Sequence, residues 1–301
     1  MLATYPTPLD PAPRLAEAIG LNPGDLYVKR DDLIGLGGGG NKVRKLEHTV
    51  RQALDRRATV LVTSGAAQSN HARLTAAAAA KAGLRAVLVL EGHETPAVGN
   101  LLLDRLFGAE IVWAGDLRPA DLGERVRAEA ERLTGLGERA EVIPFGGSSV
   151  LGAKGYEECG HELRQQLPDL HTVVTALGSG GTMAGLVRAL GPGKVYGVDV
   201  GAVPDPRAVV AALLPDPGID LRIRAAAGAY GVLAPAVKEA MTLVARTEGI
   251  VLDPVYTGRA AAGLVEAVRE GLIEPGRTTV LLHSGGLPGL FGHPEASEIY
   301  V

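Results

Sequence analysis

From residue 59 onward, short runs of β-branched and aliphatic residues alternate with longer segments rich in Ala, Leu, Glu and Arg. Each apolar run ends in glycine, serine or asparagine, the composition of a strand leaving a sheet. The alternation predicts parallel βαβ units, because neighbouring parallel strands need a crossover long enough to hold a helix. The clearest unit has a strand over residues 59–62, a turn over 64–70 and a helix over 72–82, with the next strand at 85–90. A second unit spans 99–107 and continues into 109–113. Residues 171–176 read as a buried strand that breaks into Gly178-Ser179-Gly180-Gly181-Thr182 before a helix reaching Leu190. Further strands are expected at 194–200 and 278–282, the last ending in His283-Ser284-Gly285-Gly286. The alanine run 76–80 is helix-forming, and the Pro- and Asp-rich stretch 203–218 is expected to be irregular. Ligands gather at the carboxyl ends of strands in open parallel sheets, so these glycine-rich loops are expected to face one side.

Composition narrows the function. With 46% hydrophobic residues and a net charge of -4 over 301 residues, the chain can bury a large core without a polyanionic partner. Its length favours an α/β protein of two lobes with a site between them. The 30 basic residues are scattered among 34 acidic ones, which argues against nucleic-acid binding. Cys159 is the only cysteine, which excludes an internal disulfide and any multi-cysteine metal site, and no metal is expected. Residues 1–10 lack a basic stretch followed by an apolar run, and no segment reaches the roughly 20 apolar residues of a membrane span. Cytoplasmic residence, with no membrane partner, is the expectation.

Four groups of residues could carry chemistry. In Gly37-Gly38-Gly39-Gly40-Asn41-Lys42-Val43-Arg44-Lys45, flexible glycines lead into a helix expected to begin near Asn41. A lysine in the first helical turn faces the positive end of the dipole, which lowers its pKa and favours a reactive neutral amine able to form a Schiff base. A solvated lysine after a flexible loop is the commoner occupant of such a position. The Gly178–Thr182 loop, between strand and helix, can converge backbone N–H groups and two hydroxyls on an anion. It looks built for a phosphate, although it lacks the closing Gly-Lys-Ser/Thr of a Walker loop, and a bare turn is the lesser alternative. Asp199, about 20 residues on, keeps a nucleotide site of the Rossmann kind open.

Gln68-Ser69-Asn70-His71 opens the helix after the first strand, where Ser69 and Asn70 could bind a carboxylate or phenolate oxygen or simply cap the helix. Tyr230 and Tyr256-Thr257-Gly258 stand beside glycines, although core packing remains the commoner fate of a tyrosine. Ser284, at the end of a buried strand, could bond a ring nitrogen or cap the next turn.

The ordered set of these motifs, with Lys29-Arg30-Asp31-Asp32 and Asp253-Pro254-Val255 added, resembles the ACC deaminase/D-cysteine desulfhydrase family from Thr7-Pro8-Leu9 to about Phe291. The resemblance implies a two-lobed α/β pyridoxal 5'-phosphate enzyme of fold type II (tryptophan synthase β-like). Its sheets would be open, mostly parallel and flanked by helices. A small lobe, residues 50–155, would be set into a large cofactor-binding lobe, residues 1–49 and 156–301, and the molecule would be a homodimer.

By the same resemblance Lys42 holds the cofactor and removes the Cα proton. Lys45 and the loop Gly178, Ser179, Gly180, Gly181 and Thr182 hold the phosphate, Asn70 bonds the ring hydroxyl, and Ser284 faces the pyridine nitrogen. Ser69, with Gln68, Asn70 and His71, would bind a small amino-acid substrate, and Tyr230, Tyr256 and Thr257 would line the pocket beside the reacting carbons. Thr257 and His71 stand where the deaminases carry Glu and Gln, so the resemblance points to the desulfhydrase branch. The implied reaction is α,β-elimination from D-cysteine to pyruvate, hydrogen sulfide and ammonia. The alternatives are 1-aminocyclopropane-1-carboxylate deamination and lyase action on L-cysteate or another β-substituted alanine. Within this resemblance Leu74 replaces a usual glutamine and Arg259 a frequent lysine, and the 200–230 segment is short.

Overall fold

The computed structural model describes residues 1–118, 121–226 and 228–299. Two sheets organise it. The first has strand order β1-β2-β10-β7-β8-β9, built from β1 (Leu9–Pro11), β2 (Leu26–Arg30), β7 (Thr172–Leu177), β8 (Val195–Asp199), β9 (Arg222–Arg224) and β10 (Thr279–His283). The second has order β5-β4-β3-β6, built from β3 (Val60–Gly65), β4 (Arg85–Leu90), β5 (Glu110–Trp113) and β6 (Ala140–Val142). Every strand pair is parallel except β1 with β2. The chain therefore leaves the first sheet after β2, completes the second, and returns at β7.

Central strands are buried on both faces, which is why they read as nearly continuous apolar runs. Alternation still sorts their side chains. Val174 and Ala176 of β7 and Leu281 of β10 enter one core, whereas Val173, Leu177, Val280 and Leu282 enter the core on the other face. In the second sheet Leu61, Leu88 and Leu90 point one way and Val60, Val62, Val87 and Val89 the other. Register across the first sheet sets Leu281 between Val28 and Val174.

The expected 85–90 strand coincides with β4, and the expected helix after the first strand is α3 (Asn70–Ala82), begun two residues earlier because Ser69 caps it. The stretch 203–218 corrects the expectation of irregularity. It contains a short helix, α8 (Pro206–Ala211), started by Pro206 at its first position and by the Asp205 carboxylate accepting from Ala208 N.

Two helices of the first sheet's layer nearly touch. Along α6 (Val150–Gln166) and α7 (Gly181–Leu190), a Cβ on Gly185 would lie 2.2 Å from Ala153 O and 2.5 Å from Tyr156 Cβ. This close approach sets the N-terminus of α7 beside Ser148, just ahead of α6. Gly185→Ala is therefore expected to lower stability by about 1–3 kcal/mol or more through overpacking. A fall in the urea denaturation midpoint would show it, and an unchanged midpoint would refute such tight packing.

Candidate active site

The carboxyl ends of β3, β4, β7, β8 and β10 converge on one cavity of ≈ 250 Å³, and residues just past each strand line it. Lys42 enters it from the first turn of α2 (Lys42–Asp55). The glycine run makes that entry possible. Gly39 and Gly40 have φ of 78° and 126°, and a Cβ on Gly285 would lie 2.6 Å from Gly40 Cα. Only glycines let the two turns pass so closely, and Asn41 N then donates to Ser284 O at 2.9 Å.

Lys42 Nζ donates to Asn41 Oδ1 at 3.0 Å and lies 5.7 Å from the Tyr256 ring centroid. Its pKa is lowered to about 8, first by burial and then by the Arg73 guanidinium, against the opposing pull of Asp253. Burial thus dominates the depression, where the sequence had pointed to the helix end. One turn along α2, the Lys45 ammonium is buried. It donates to Gly146 O at 3.2 Å and Ser148 Oγ at 3.1 Å, and among the described residues no carboxylate pairs with it. Burial and the Lys42 charge push its pKa well below the ordinary lysine value.

Facing Lys45 is the loop before α7. Ser148 Oγ shares a hydrogen bond of 2.7 Å with Ser179 Oγ and accepts from Gly181 N at 3.1 Å, and Thr182 Oγ1 accepts from Asn41 Nδ2 at 3.0 Å. Gly178, Ser179, Gly180 and Thr182 line the cavity; Gly181 stands just behind them. Cation, helix N-terminus and hydroxyls together form an anion site.

Across the cavity, Ser69 caps α3 by accepting from Ala72 N at 3.2 Å, so capping and cavity lining are both served by one hydroxyl. Asn70 and His71 follow it into the lining. His71 Nε2 bonds Thr63 Oγ1 at 2.9 Å, and burial together with Lys42 and Lys45 keeps the imidazole neutral. Tyr230 and Tyr256 meet hydroxyl to hydroxyl at 2.7 Å with rings edge-on, and burial raises the Tyr256 pKa well above the usual phenol value. Ser284 lines the cavity just past the end of β10.

Two residues expected to touch a substrate lie outside this lining. The Gln68 amide accepts from Asn100 N at 2.9 Å and donates to Val98 O at 3.0 Å, so it serves the loop before α4 (Gly99–Leu106). Thr257, at the start of α10 (Thr257–Arg269), donates to Asp253 Oδ1 at 2.7 Å and accepts from Asp253 N at 2.9 Å. Asp199 accepts from Gly201 N at 2.9 Å, closing its own turn instead of meeting a nucleotide. Sequence reasoning missed Glu91 and Gly146, which line the cavity, and Ser148, which bonds Lys45 and Ser179. The Phe145-Gly146-Gly147-Ser148 segment after β6 carried the same strand-then-glycine signal as the Gly178 loop, and Glu91 ends an otherwise apolar run. Among the described residues there is no metal-binding cluster, and no helix is long and apolar enough to cross a membrane.

The family model described as "Pyridoxal-phosphate dependent enzyme" matches residues 1–285. A Pyrococcus abyssi protein provisionally named 1-aminocyclopropane-1-carboxylate deaminase is 39% identical, over 98% of this chain and 93% of its own. The D-cysteine desulfhydrase of Salmonella schwarzengrund is 40% identical, over 96% of this chain and 94% of its own. A crystal structure titled as an ACC deaminase homologue superposes with a TM-score of 0.89 at 36% identity, covering 99% of this chain and 94% of that one. An L-serine ammonia-lyase from Rhizomucor miehei shares the fold at a TM-score of 0.73 and 17% identity, covering 99% and 98%.

A pulse of amine acetylation followed by peptide mass spectrometry should find Lys42 half-reactive near pH 8, roughly two units below an ordinary lysine. A midpoint near the ordinary value would contradict the burial described for it.

Proposed function

The chain belongs to the pyridoxal-phosphate-dependent enzymes, and on that premise we propose that its cavity eliminates the β-substituent of a small amino acid, D-cysteine foremost, which with one water from solvent gives pyruvate, sulfide and ammonia. One observation carries this reading: two lysines three residues apart on α2 share the cavity, both with pKa values lowered by burial, and Lys45 hydrogen-bonds only neutral oxygens, a place an anion would fill. The residues present fit pyridoxal 5'-phosphate. Lys45, Ser148, Ser179 and the amides opening α7 answer its phosphate. Lys42 supplies the amine for its aldehyde. Asn70 serves its ring oxygen, and the Ser284 hydroxyl its pyridine nitrogen. When bound, the cofactor delocalises the electron pair left at the substrate Cα, which lowers the cost of expelling the β-substituent.

The rest falls to the chain's own groups. Lys42, whose pKa of about 8 leaves part of it a neutral amine, would take the Cα proton. Ser69 and the first amides of α3 hold the substrate carboxylate, since a helix N-terminus favours an anion. The Tyr230 and Tyr256 hydroxyls, joined at 2.7 Å, remain protonated at neutral pH and can supply a proton to a departing thiolate. Ser284 offers the ring nitrogen no negative charge, so the electron sink is moderate and good leaving groups are favoured. Within this proposal, residues 50–155 form a small lobe inserted into a large lobe of 1–49 and 156–301, and the protein is a cytoplasmic homodimer as the family resemblance implies.

A second reading, ring opening of 1-aminocyclopropane-1-carboxylate, rests on the likeness to proteins named for that activity. Thr257 weighs against it, because its hydroxyl is bound to Asp253 and brings no charge into the cavity.

Reconstituted protein is expected to release pyruvate and sulfide from D-cysteine, with Lys42→Ala lowering the rate by about a thousandfold or more. Release of 2-oxobutyrate from 1-aminocyclopropane-1-carboxylate without sulfide from D-cysteine would instead establish the second reading.

A further inference from the structure

Asn70 reaches the cavity from the start of α3, but its orientation is decided behind it. Its Oδ1 accepts from Asn100 Nδ2 at 3.1 Å and from Arg73 Nη2 at 3.4 Å. Asn100 is fully buried at the second position of α4, and its Nδ2 also donates to Gln68 O at 2.8 Å. Oxygen and nitrogen of an amide are often interchangeable in a structure, but here both ends of the chain of hydrogen bonds are fixed by chemistry. The Gln68 carbonyl can only accept, so Asn100 must turn its nitrogen that way. Arg73 can only donate, so the atom of Asn70 it meets must be oxygen.

We infer that Asn100 is a positioning residue: together with Arg73 it holds the Asn70 amide so that an N–H, and not a carbonyl, faces the cavity. A further contact holds Asn100 itself: its backbone N–H donates to Gln68 Oε1 at 2.9 Å. Among the described residues the Asn70 Nδ2 group has no other partner. An N–H there donates to a ligand oxygen and favours its unprotonated form over the protonated one. The inference rests on the proposed cofactor site, in which that oxygen is the ring hydroxyl, bound as phenolate.

The test compares wild type, Asn100→Asp, Asn70→Ala and the double variant by the absorption of added pyridoxal 5'-phosphate across pH and by its affinity. Asn100→Asp removes both donated hydrogen bonds and repels Asn70 Oδ1, so the Asn70 amide turns its oxygen to the cavity. Losing a donor to an anion raises the pH at which the ring oxygen loses its proton. The transition between near-ultraviolet and long-wavelength bands should therefore move up by about one to two pH units. Affinity should fall about tenfold or more.

In the Asn70→Ala background the aspartate should add nothing further, since its effect passes through Asn70. Equal effects of Asn100→Asp with and without Asn70 would overturn the inference, as would an unshifted band. If the aspartate variant does not fold, as judged by the apoprotein's circular dichroism, Asn100→Leu removes the same donor without charge and should shift the band in the same direction. Wild-type protein that takes up no cofactor at all would overturn the functional reading itself and this inference with it.

Discussion

Two lysine amines held out of water, neither hydrogen-bonded to a carboxylate among the described residues, are the constraint around which the molecule is arranged. Lys42 and Lys45 bring two amines to one cavity wall, and burial penalises the charged form of both. A fold tolerates this only where binding repays it, because an unpaired buried ion costs several kcal/mol. Burial lowers the pKa of both, and their surroundings suit them to different work. Lys42 approaches neutrality near physiological pH, which suits a nucleophile and base. Lys45 keeps backbone and hydroxyl oxygens around it and faces a helix N-terminus, which suits an anion.

Toward the body of the large sheet, by contrast, buried charges are paired. Under the same helix, Arg44 contacts Asp31 at 2.8 Å and Glu162 at 2.9 Å, Lys29 pairs with Glu162, and Thr7 donates to Asp31 at 2.8 Å. Alternate faces of the first turns of α2 thus carry opposite policies, compensated charge toward the body of the large sheet and uncompensated charge toward the cavity. The compensated face fixes the helix; the glycines ahead of it let its first turn reach the ends of β10 and β7.

How much of this the sequence disclosed follows from how local each signal is. The order of strands and helices was legible because parallel strands covered on both faces read as apolar runs, and β4 emerges at its expected limits. Lys42, Lys45, Ser69, Asn70 and the Gly178 loop were legible because each sits at a helix start, where short-range spacing carries the meaning. Gln68 and Thr257 stand beside residues that face the cavity, yet their side chains turn to Asn100 and Asp253, a direction that adjacency in sequence does not encode. Asn100, Glu91 and Ser148 reach the site through contacts 30 or more residues away from their partners or from other strands, so no local pattern marks them. The helix within 203–218 was hidden by its proline and aspartate, residues that break helices internally but start them at the first turn.

The central claim is that Lys42, among the seven lysines of the chain, carries the cofactor. Borohydride reduction of protein incubated with pyridoxal 5'-phosphate, followed by peptide mass spectrometry, tests it most directly. A pyridoxyl adduct confined to Lys42 and absent from Lys42→Ala is the expected result. An adduct on Lys45 or a surface lysine, with Lys42 unmodified, would contradict it.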